Sequence, residues 1–311
     1  MIELKHALSG RFMLQTAKAD AEGNEIPGTR KVVAPWQDNL ITDNGMDYIG
    51  GNGASPNTFL GYVSVGSGAN PPQFTDSALQ ARVATTSTSN NNENGFAVSA
   101  PYFTWYRRQF QFGTGAAAGV LSEIGITGYN GTPAYTRALI KDSAGNPTTI
   151  TVLPDELLIV TYERRVYCHT EDVVTTATIK GVETTITIRP SQLGTSSGHN
   201  AQGTPYWTDY IWGGYWYHGG TGVGPITGVP TGTQVSYSNA EYSNAAYTSG
   251  TYYRDQIINL TVQNAAGLTL TAFEGLYAAT SYQIGFQPGV PKTNAETVAL
   301  RLRMSWARYE P

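Results

Sequence analysis

The residues of this chain that could support metal or nucleophilic chemistry are four histidines and one cysteine. His6, His169, His199 and His218 are far apart in the sequence and show no His-x-x-x-His spacing, and Cys168 has no second cysteine to join it. A zinc site needs three or four ligands, usually at short spacings. Cys168 and His169 are consecutive on a predicted strand and therefore point to opposite faces. The sequence predicts no metal site.

Hydrolytic and cofactor chemistry meet similar objections. Adjacent acidic pairs, Asp155-Glu156 and Glu171-Asp172, lie at predicted strand ends, whereas a glycosidase needs two carboxylates that face each other across a cleft. Gly66-Ser67-Gly68 lacks the first glycine of a hydrolase nucleophile elbow. The glycine-rich run 219–224 is followed by Pro225 and not by a helical pattern, so it fails as a dinucleotide site. We predict a protein that is not an enzyme and needs no cofactor.

One segment, residues 206–218, concentrates aromatic side chains: it holds three of the six tryptophans together with four tyrosines. Such side chains stack on sugar rings and also anchor protein interfaces. The candidate contact residues are Trp207, Tyr210, Trp212, Tyr215, Trp216 and Tyr217. The alternative is that they line two strands joined by a turn at Gly213-Gly214. We favour packing in the core or between subunits over a glycan site.

The overall composition favours strands and excludes two classes of partner. Only 14% of the residues are charged, while 35 glycines and 20 tyrosines accompany many threonines, serines and asparagines, which predicts an all-β or mostly β fold. A net charge of −4 offers no cationic surface for nucleic acid. No run approaches the roughly 20 apolar residues of a membrane span, so no membrane insertion is expected.

The first part of the chain, residues 1–50, is predicted to be an N-terminal arm with one short helix. Thr42 or Asp43 would cap this helix, and Leu40, Met46 and Ile49 would share an apolar face, although Asn44-Gly45 also suits a turn. We expect the arm to grip neighbouring subunits. Its candidate assembly residues are Trp36, Leu40 and Ile41.

The remainder is predicted to form two β-sandwich-like domains, residues 51–170 and 171–311, because short alternating segments are separated by Gly, Pro or Asn clusters. Residues 175–189 are typical of a hairpin that turns at Lys180-Gly181. Two further expectations are a short helix at residues 75–82, and an exposed loop at 85–95, which holds few residues that could be buried.

An internal duplication is predicted when residues 106–164 are aligned with residues 253–308. The pairs of matching segments are Tyr106-Arg107-Arg108-Gln109 with Tyr253-Arg254-Asp255-Gln256, Glu123-Ile124-Gly125-Ile126 with Phe273-Glu274-Gly275-Leu276, and the alternating Leu158, Val160, Tyr162, Arg164 with Leu302, Met304, Trp306, Arg308. A chance alignment of two β-rich halves is the competing explanation.

Several short motifs lie in roughly the first half of the chain: Trp36-x-Asp38-Asn39-Leu40-Ile41-Thr42-Asp43-Asn44-Gly45-Met46-Asp47, Val65-Gly66-Ser67-Gly68 followed by Pro71 and Thr75-Asp76-x-x-Leu79, Glu123-Ile124-Gly125-Ile126, and Arg137-Ala138-Leu139-Ile140-Lys141-Asp142 continuing to Thr161-Tyr162-Glu163-Arg164. Together they resemble proteins encoded among the tail and structural genes of bacteriophages. The resemblance implies a structural protein with no catalytic residues.

Three functions therefore compete. The leading hypothesis is a virion structural protein of the tail, baseplate or neck and collar, made in the bacterial host cytoplasm, whose partners are copies of itself and other virion proteins. The alternative is a receptor- or carbohydrate-binding module of a phage appendage, in which residues 206–218 contact a host surface glycan. An enzyme such as a polysaccharide depolymerase ranks last.

Overall fold

A computed structural model of the chain describes residues 1–52, 59–97, 99–191, 213–235, 241–276 and 281–310. Strands hold 56% of the residues and helical segments 5%, in curled antiparallel sheets. The predicted all-β fold is confirmed.

Twenty strands and one α-helix are found in these ranges. The strands are β1 Ile2–Lys18, β2 Lys31–Ile41, β3 Tyr62–Gly66, β4 Arg82–Thr86, β5 Ser89–Phe96, β6 Phe103–Phe112, β7 Gly119–Leu121, β8 Glu123–Thr127, β9 Thr136–Leu139, β10 Ile150–Val152, β11 Glu156–Tyr167, β12 Val173–Ile179, β13 Val182–Pro190, β14 Gly213–His218, β15 Thr233–Val235, β16 Glu241–Asn244, β17 Tyr253–Leu260, β18 Thr269–Leu276, β19 Tyr282–Pro291 and β20 Val298–Arg308. The helix, α1, is Asp43–Asn52, and Tyr129–Gly131 form a 3-10 turn.

The chain divides into two compact units that are interleaved in sequence. The first unit comprises Leu8–Asn94, Trp105–Arg165 and Arg308–Pro311, and the second comprises Met1–Ala7, Gly95–Thr104 and Val166–Ala307. The number of units agrees with the prediction, but sequential boundaries at 50 and 170 do not. Long strands cause the difference, because β1 and β20 each run from one unit into the other.

The structure also replaces the predicted N-terminal arm with two long strands and α1. Even-numbered residues of β1 are buried along almost its whole length, so the strand carries a core face. In the first unit β1 lies between β2 and β11, in the order β5-β6-β11-β1-β2-β9-β8-β3-β4. Removing residues 1–50 would take interior strands out of the sheet.

The second unit has the two-layer arrangement of a sandwich. One layer has the order β12-β13-β19-β18-β14-β15, and the other contains β16-β17-β20 and the beginning of β1. A hydrophobic cluster draws on both layers. Its largest members include Trp216, Phe273, Tyr282, Phe286, Leu302 and Met304.

Strand order supports the internal duplication. The run β1-β2-β9-β8-β3-β4 of the first unit has the same chain-order pattern as β12-β13-β19-β18-β14-β15 of the second. Likewise β5-β6-β11 corresponds to β16-β17-β20. The matching segments of the sequence alignment lie on the equivalent pairs β6 and β17, β8 and β18, and β11 and β20. Chance alignment does not account for this agreement of topology.

Hydrogen bonds at the ends of β2 and β13 fix the residue register of the repeat. Thr42 N donates to Tyr135 O at 3.0 Å, and Ser191 N donates to Ser281 O at 2.9 Å, each just before the equivalent strands β9 and β19. Thr42 therefore corresponds to Ser191. Arg137 lies two residues after Tyr135 and Gln283 lies two residues after Ser281, so these two residues are counterparts. The pairing of β9 with β8 and of β19 with β18 then moves the alignment of β8 with β18 by one residue from the one predicted.

Local predictions have mixed outcomes. Helix α1 is confirmed, and Thr42 caps it, because its Oγ1 accepts from Gly45 N at 3.1 Å. The hairpin is confirmed as β12 and β13, with φ of 53° at Lys180 and 79° at Gly181. Segment 85–95 is mostly exposed, as predicted, but it is not a loop, because most of it belongs to β4 and β5.

The predicted helix at residues 75–82 is wrong, because this segment forms turns. Its backbone N–H groups are bound by side chains from elsewhere: Glu123 Oε2 accepts from Gln80 N at 3.1 Å and Glu123 Oε1 from Ala81 N at 2.7 Å. These bonds replace the intrahelical ones that the local sequence favours.

Candidate functional site

The resemblance motifs meet at Glu123, a fully buried side chain on β8. Its carboxylate accepts from the backbone N–H of Gly68 at 3.1 Å and from Arg137 Nε at 2.9 Å, besides Gln80 and Ala81. A Cβ at Gly66 or Gly68 would come within 2.7 Å and 2.5 Å of this carboxylate, respectively, which explains the glycines of that motif.

Arg137 extends this network across the loop between β3 and β4. Its Nη1 donates to Asp76 Oδ2 at 2.7 Å, and its Nη2 donates to Asn70 O at 2.9 Å. The Arg137 and Glu123 side chains are 3% and 0% exposed, so the pair is closed to solvent. The polar groups of both side chains are hydrogen-bonded, so this site holds the loop in place. The resemblance motifs that meet here therefore have a structural role. The sequence signal for the pair was that Glu123 and Arg137 each begin one of the resemblance motifs.

The described part of the aromatic segment is mostly core. Trp216 is 1% exposed and packs on Phe273, with ring centroids 5.0 Å apart, and on Phe286 at 6.2 Å. Tyr217 is buried, and its hydroxyl donates to Glu274 Oε2 at 2.9 Å. Burial, and then the Glu274 charge, raise the pKa of Tyr217. Trp216 and Tyr217 are therefore not available to a glycan.

The other members of the segment have different outcomes. Tyr215 is half-buried on β14. The turn predicted at Gly213-Gly214 is wrong, since both glycines belong to β14. Trp207, Tyr210 and Trp212 lie outside the described residues.

A different aromatic surface lies on the outer face of the first unit. Side chains alternate across a strand, so those between the buried residues of β1 and β6 point to the same side, where Trp36 of β2 and Glu163 of β11 contact them. We call this surface the Arg–Trp face. Its residues are Arg11, Trp36, Trp105, Arg107, Glu163 and Arg165.

Glu163 organises the Arg–Trp face through three arginines. Its Oε1 accepts from Arg11 Nε at 2.8 Å and Arg165 Nε at 2.7 Å, and its Oε2 accepts from Arg107 Nη2 at 2.6 Å. The Glu163 side chain is only 1% exposed. Burial by itself would raise the pKa of Glu163, but the hydrogen bonds from the three guanidinium groups outweigh it and hold the pKa below its ordinary value.

Both tryptophans are held by these same guanidinium groups. Arg11 Cζ lies 4.5 Å from the centroid of Trp36, and Arg107 Cζ lies 5.3 Å from it. Arg107 Cζ is also 4.7 Å from the Trp105 ring. Trp36 and Trp105 remain half-buried, so each leaves part of its ring exposed while the cation–π contacts fix its orientation.

A cleft of about 210 Å³ opens beside Trp36. Its lining combines an apolar ring and a thioether with amide, hydroxyl and charged groups: Met13, Trp36, Asn91, Glu93, Arg107, Gln109 and Thr161. Arg107 Nη1 donates to Glu93 Oε2 at 2.7 Å at the rim. The three arginines and Glu163 of the face, together with the neighbouring Glu93, leave one net positive charge.

No protein-family model, curated protein or solved structure matches this chain. What the Arg–Trp face can bind therefore follows from its own chemistry. Trp36, a residue of the predicted arm, is the one member of this face that the sequence offered as a contact residue, whereas Arg107 and Glu163 stood only in the repeat and resemblance motifs. Thr161, Glu163 and Arg165 alternate with the recognised core residues of β11, and this was the available signal for the rest.

The other two predicted arm residues do not join the face. Leu40 is partly buried and pairs with Arg137 across β2 and β9. Ile41 is 3% exposed, and its carbonyl accepts from Arg308 Nε at 2.6 Å. Ile41 therefore belongs to the core and is not available to grip a neighbour.

Two of the carboxylates considered for hydrolytic chemistry, Asp155 and Asp172, have structural partners. Asp155 pairs with Lys18 at 2.9 Å, and Asp172 pairs with Arg189 at 2.6 Å. Within the described ranges, no group of three or more His, Cys, Asp or Glu residues could hold a metal ion. The only α-helix there has ten residues and is too short to cross a membrane.

Proposed function

We propose that this chain is a non-enzymatic structural component of a bacteriophage particle, in the tail, baseplate or neck and collar, and that its Arg–Trp face contacts another virion protein. The motif resemblance supports the setting. The observation that carries the contact is the pair of tryptophans, Trp36 and Trp105, clamped half-exposed by arginines that share Glu163.

The composition of the face fits a protein partner. Tryptophan, arginine and methionine are enriched in interface cores, and tryptophan and arginine dominate the binding energy where they are central. Arg11 and Arg107 are already hydrogen-bonded to Glu163, so binding would immobilise few additional rotamers. A preorganised face loses less entropy on association.

The rest of the fold supports a part that must keep its shape. The Glu123 and Arg137 network fastens the loop after β3, and the repeat supplies a second unit of the same strand order. Rigid β-units of this kind suit symmetric assembly, with copies of the chain and other virion proteins as partners. We place synthesis in the bacterial host cytoplasm and the mature protein in the virion.

The experiment is complementation of a phage that lacks this gene. The Trp36→Ala/Trp105→Ala double variant should fold but enter particles at least tenfold less than the wild type. Val120→Ala is the control, because Val120 is an exposed apolar residue of the same unit outside the face. Normal incorporation of a folded double variant would overturn the proposed contact.

Glycan binding is the second candidate, and the cleft beside Trp36 favours it. Asn91, Gln109 and Glu93 offer hydrogen bonds next to an aromatic ring, the combination that recognises sugars. The glycan would come from the host surface. Array binding that Trp36→Ala abolishes, in a variant that still assembles, would favour this candidate, and uniformly negative arrays would reject it.

A further inference from the structure

Strand β12 is an edge strand of the second unit with an open side. Its residues pair with β13 from Val173 opposite Ile188 to Ile179 opposite Val182. In the part of the chain that the structure describes, β12 has no other strand neighbour. Six of its seven residues are exposed. One row of backbone N–H and C=O groups is therefore available for pairing.

The repeat shows that the equivalent strand of the first unit has no such open side. The counterpart of β12 in the first unit is β1, which has β2 on one side and β11 on the other. The counterpart of β11 is β20, and β20 is hydrogen-bonded to β1. The strand that would cover β12 by analogy with the first unit is thus engaged elsewhere.

Nothing in the sequence of β12 protects the edge against pairing. The strand reads Val-Val-Thr-Thr-Ala-Thr-Ile and contains no lysine, proline, glycine or acidic residue. Such residues are the usual means of blocking edge-to-edge contact, whereas β-branched residues favour it. Val174 is 60% exposed, and Val182 on the adjacent strand is 50% exposed.

We infer that β12 pairs antiparallel with β12 of a second copy of this chain, about a two-fold axis at Thr176. This register places Val173 opposite Ile179 of the copy. It also brings Asp172, which pairs with Arg189 in its own chain, near Lys180 of the copy, which pairs with Glu296, so the charges that flank the strand alternate in sign. The same patch serves both copies, which gives a closed dimer.

This contact rests on the proposed assembly role and deepens it by naming a second copy as partner. The test uses purified full-length protein without other virion components, so that the two proposals can fail separately. If the protein stays monomeric while Trp36 is still needed for incorporation, only the dimer inference fails. If the dimer forms but the protein never enters particles, only the proposed function fails.

The sharpest measurement is cysteine cross-linking. Directly opposed residues of an antiparallel pair have Cα atoms about 4.5–5.5 Å apart, within disulfide range. Thr176→Cys should therefore give a disulfide-linked dimer on mild oxidation. Thr178→Cys is the matched control, because its own copy would lie about 13 Å along the strand. The native Cys168 is buried, so the wild type should not cross-link.

Two outcomes would overturn the inference: no cross-link at Thr176 in a folded protein, or a cross-link at Thr178 in preference to Thr176. Val174→Lys provides an independent arm, because it places a charge on the open edge of an otherwise unchanged strand. Sedimentation analysis should show a dimer dissociation constant at least tenfold higher than that of the wild type. An unchanged dimer in this variant would also count against β12 as the interface.

Discussion

Arg137 and Gln283 occupy the same register position on equivalent strands of the two units, and each donates to carbonyl oxygens of the loop after the equivalent inner strand. Arg137 Nη2 reaches Asn70 O at 2.9 Å in the loop after β3. Gln283 Nε2 reaches Pro225 O at 2.9 Å and Gly228 O at 3.1 Å in the loop after β14. The two units therefore fasten corresponding loops from corresponding positions.

Arg137 is charged and Gln283 is neutral, so their removal should lower the free energy of unfolding by different amounts. Arg137→Ala leaves the Glu123 carboxylate buried without its counter-ion, so the free energy of unfolding should fall by about 3–5 kcal/mol. Gln283→Ala removes neutral hydrogen bonds and should cost about 1–3 kcal/mol. Denaturant titration measures both. The exposed Arg301→Ala is the control and should stay within about 0.5 kcal/mol. Equal losses for Arg137→Ala and Arg301→Ala would contradict the network.

Substitution of two tryptophans should lower the free energy of unfolding by different amounts. Trp216 is enclosed by Phe273 and Phe286, so Trp216→Ala should lower the free energy of unfolding by about 3–5 kcal/mol. Trp36 is held mainly by two guanidinium contacts, so Trp36→Ala should cost only about 1–2 kcal/mol. Thermal unfolding distinguishes them. A Trp216→Ala protein as stable as wild type would show that this ring is not part of the core.

Acid should destabilise the second unit through His6. Burial, with the nearby His169 as a second cause, lowers the pKa of His6 from 6.5 to about 3. The unfolded chain therefore binds more protons than the folded chain between these values, and stability is lost as pH falls through this window. The slope should reach about 1.4 kcal/mol per pH unit for this one histidine.

Unfolding measured between pH 6.5 and about 5 isolates the histidine effect, because most carboxylates remain ionised there. His6→Gln removes the titrating group and should flatten the slope. His169 remains in that variant, and its pKa is also lowered, by burial and then by the charge of Lys5, against the opposing effect of Glu3. Identical slopes for His6→Gln and the wild type would refute the assignment to His6.

Removal of the Glu163 charge should cause a salt-sensitive loss of stability in the first unit. Glu163→Gln leaves Arg11, Arg107 and Arg165 close together without the shared carboxylate, and should lower the free energy of unfolding by about 3–5 kcal/mol. Added salt should restore part of this loss by screening the arginines from one another.

The control for this prediction is Glu93→Gln at the rim, where the side chain is 47% exposed and the pair contributes about 0–1 kcal/mol. The two variants should also differ in pH response. The lowered pKa of Glu163 means that its stabilisation is present above the unfolded value and is lost as pH falls through the folded value. A salt-independent Glu163→Gln protein would argue against arginine repulsion.

Local chemistry made several features predictable from the sequence. The cap at Thr42 gives α1, the Lys180-Gly181 turn gives the β12–β13 hairpin, and matching segments locate the repeat on equivalent strands. Each depends on residues close in sequence or on a repeated pattern. Periodicity also indicated the core of β11 correctly.

Long-range pairing accounts for what could not be predicted. Arg11 and Glu163 are 152 residues apart, and no local pattern indicates that β1 lies beside β11. The interleaved units have the same origin, since long strands run through both. The segment at 75–82 has helical propensity, but Glu123, some 42 residues away, takes its backbone N–H groups.

Quantitative mass spectrometry of purified phage particles tests the central claim most directly. The account predicts that this chain is present at a fixed copy number per particle, and that the Trp36→Ala/Trp105→Ala protein is depleted while it stays folded in the cell lysate. Abundant wild-type protein in the lysate, with none in the particles, would contradict a structural role in the virion.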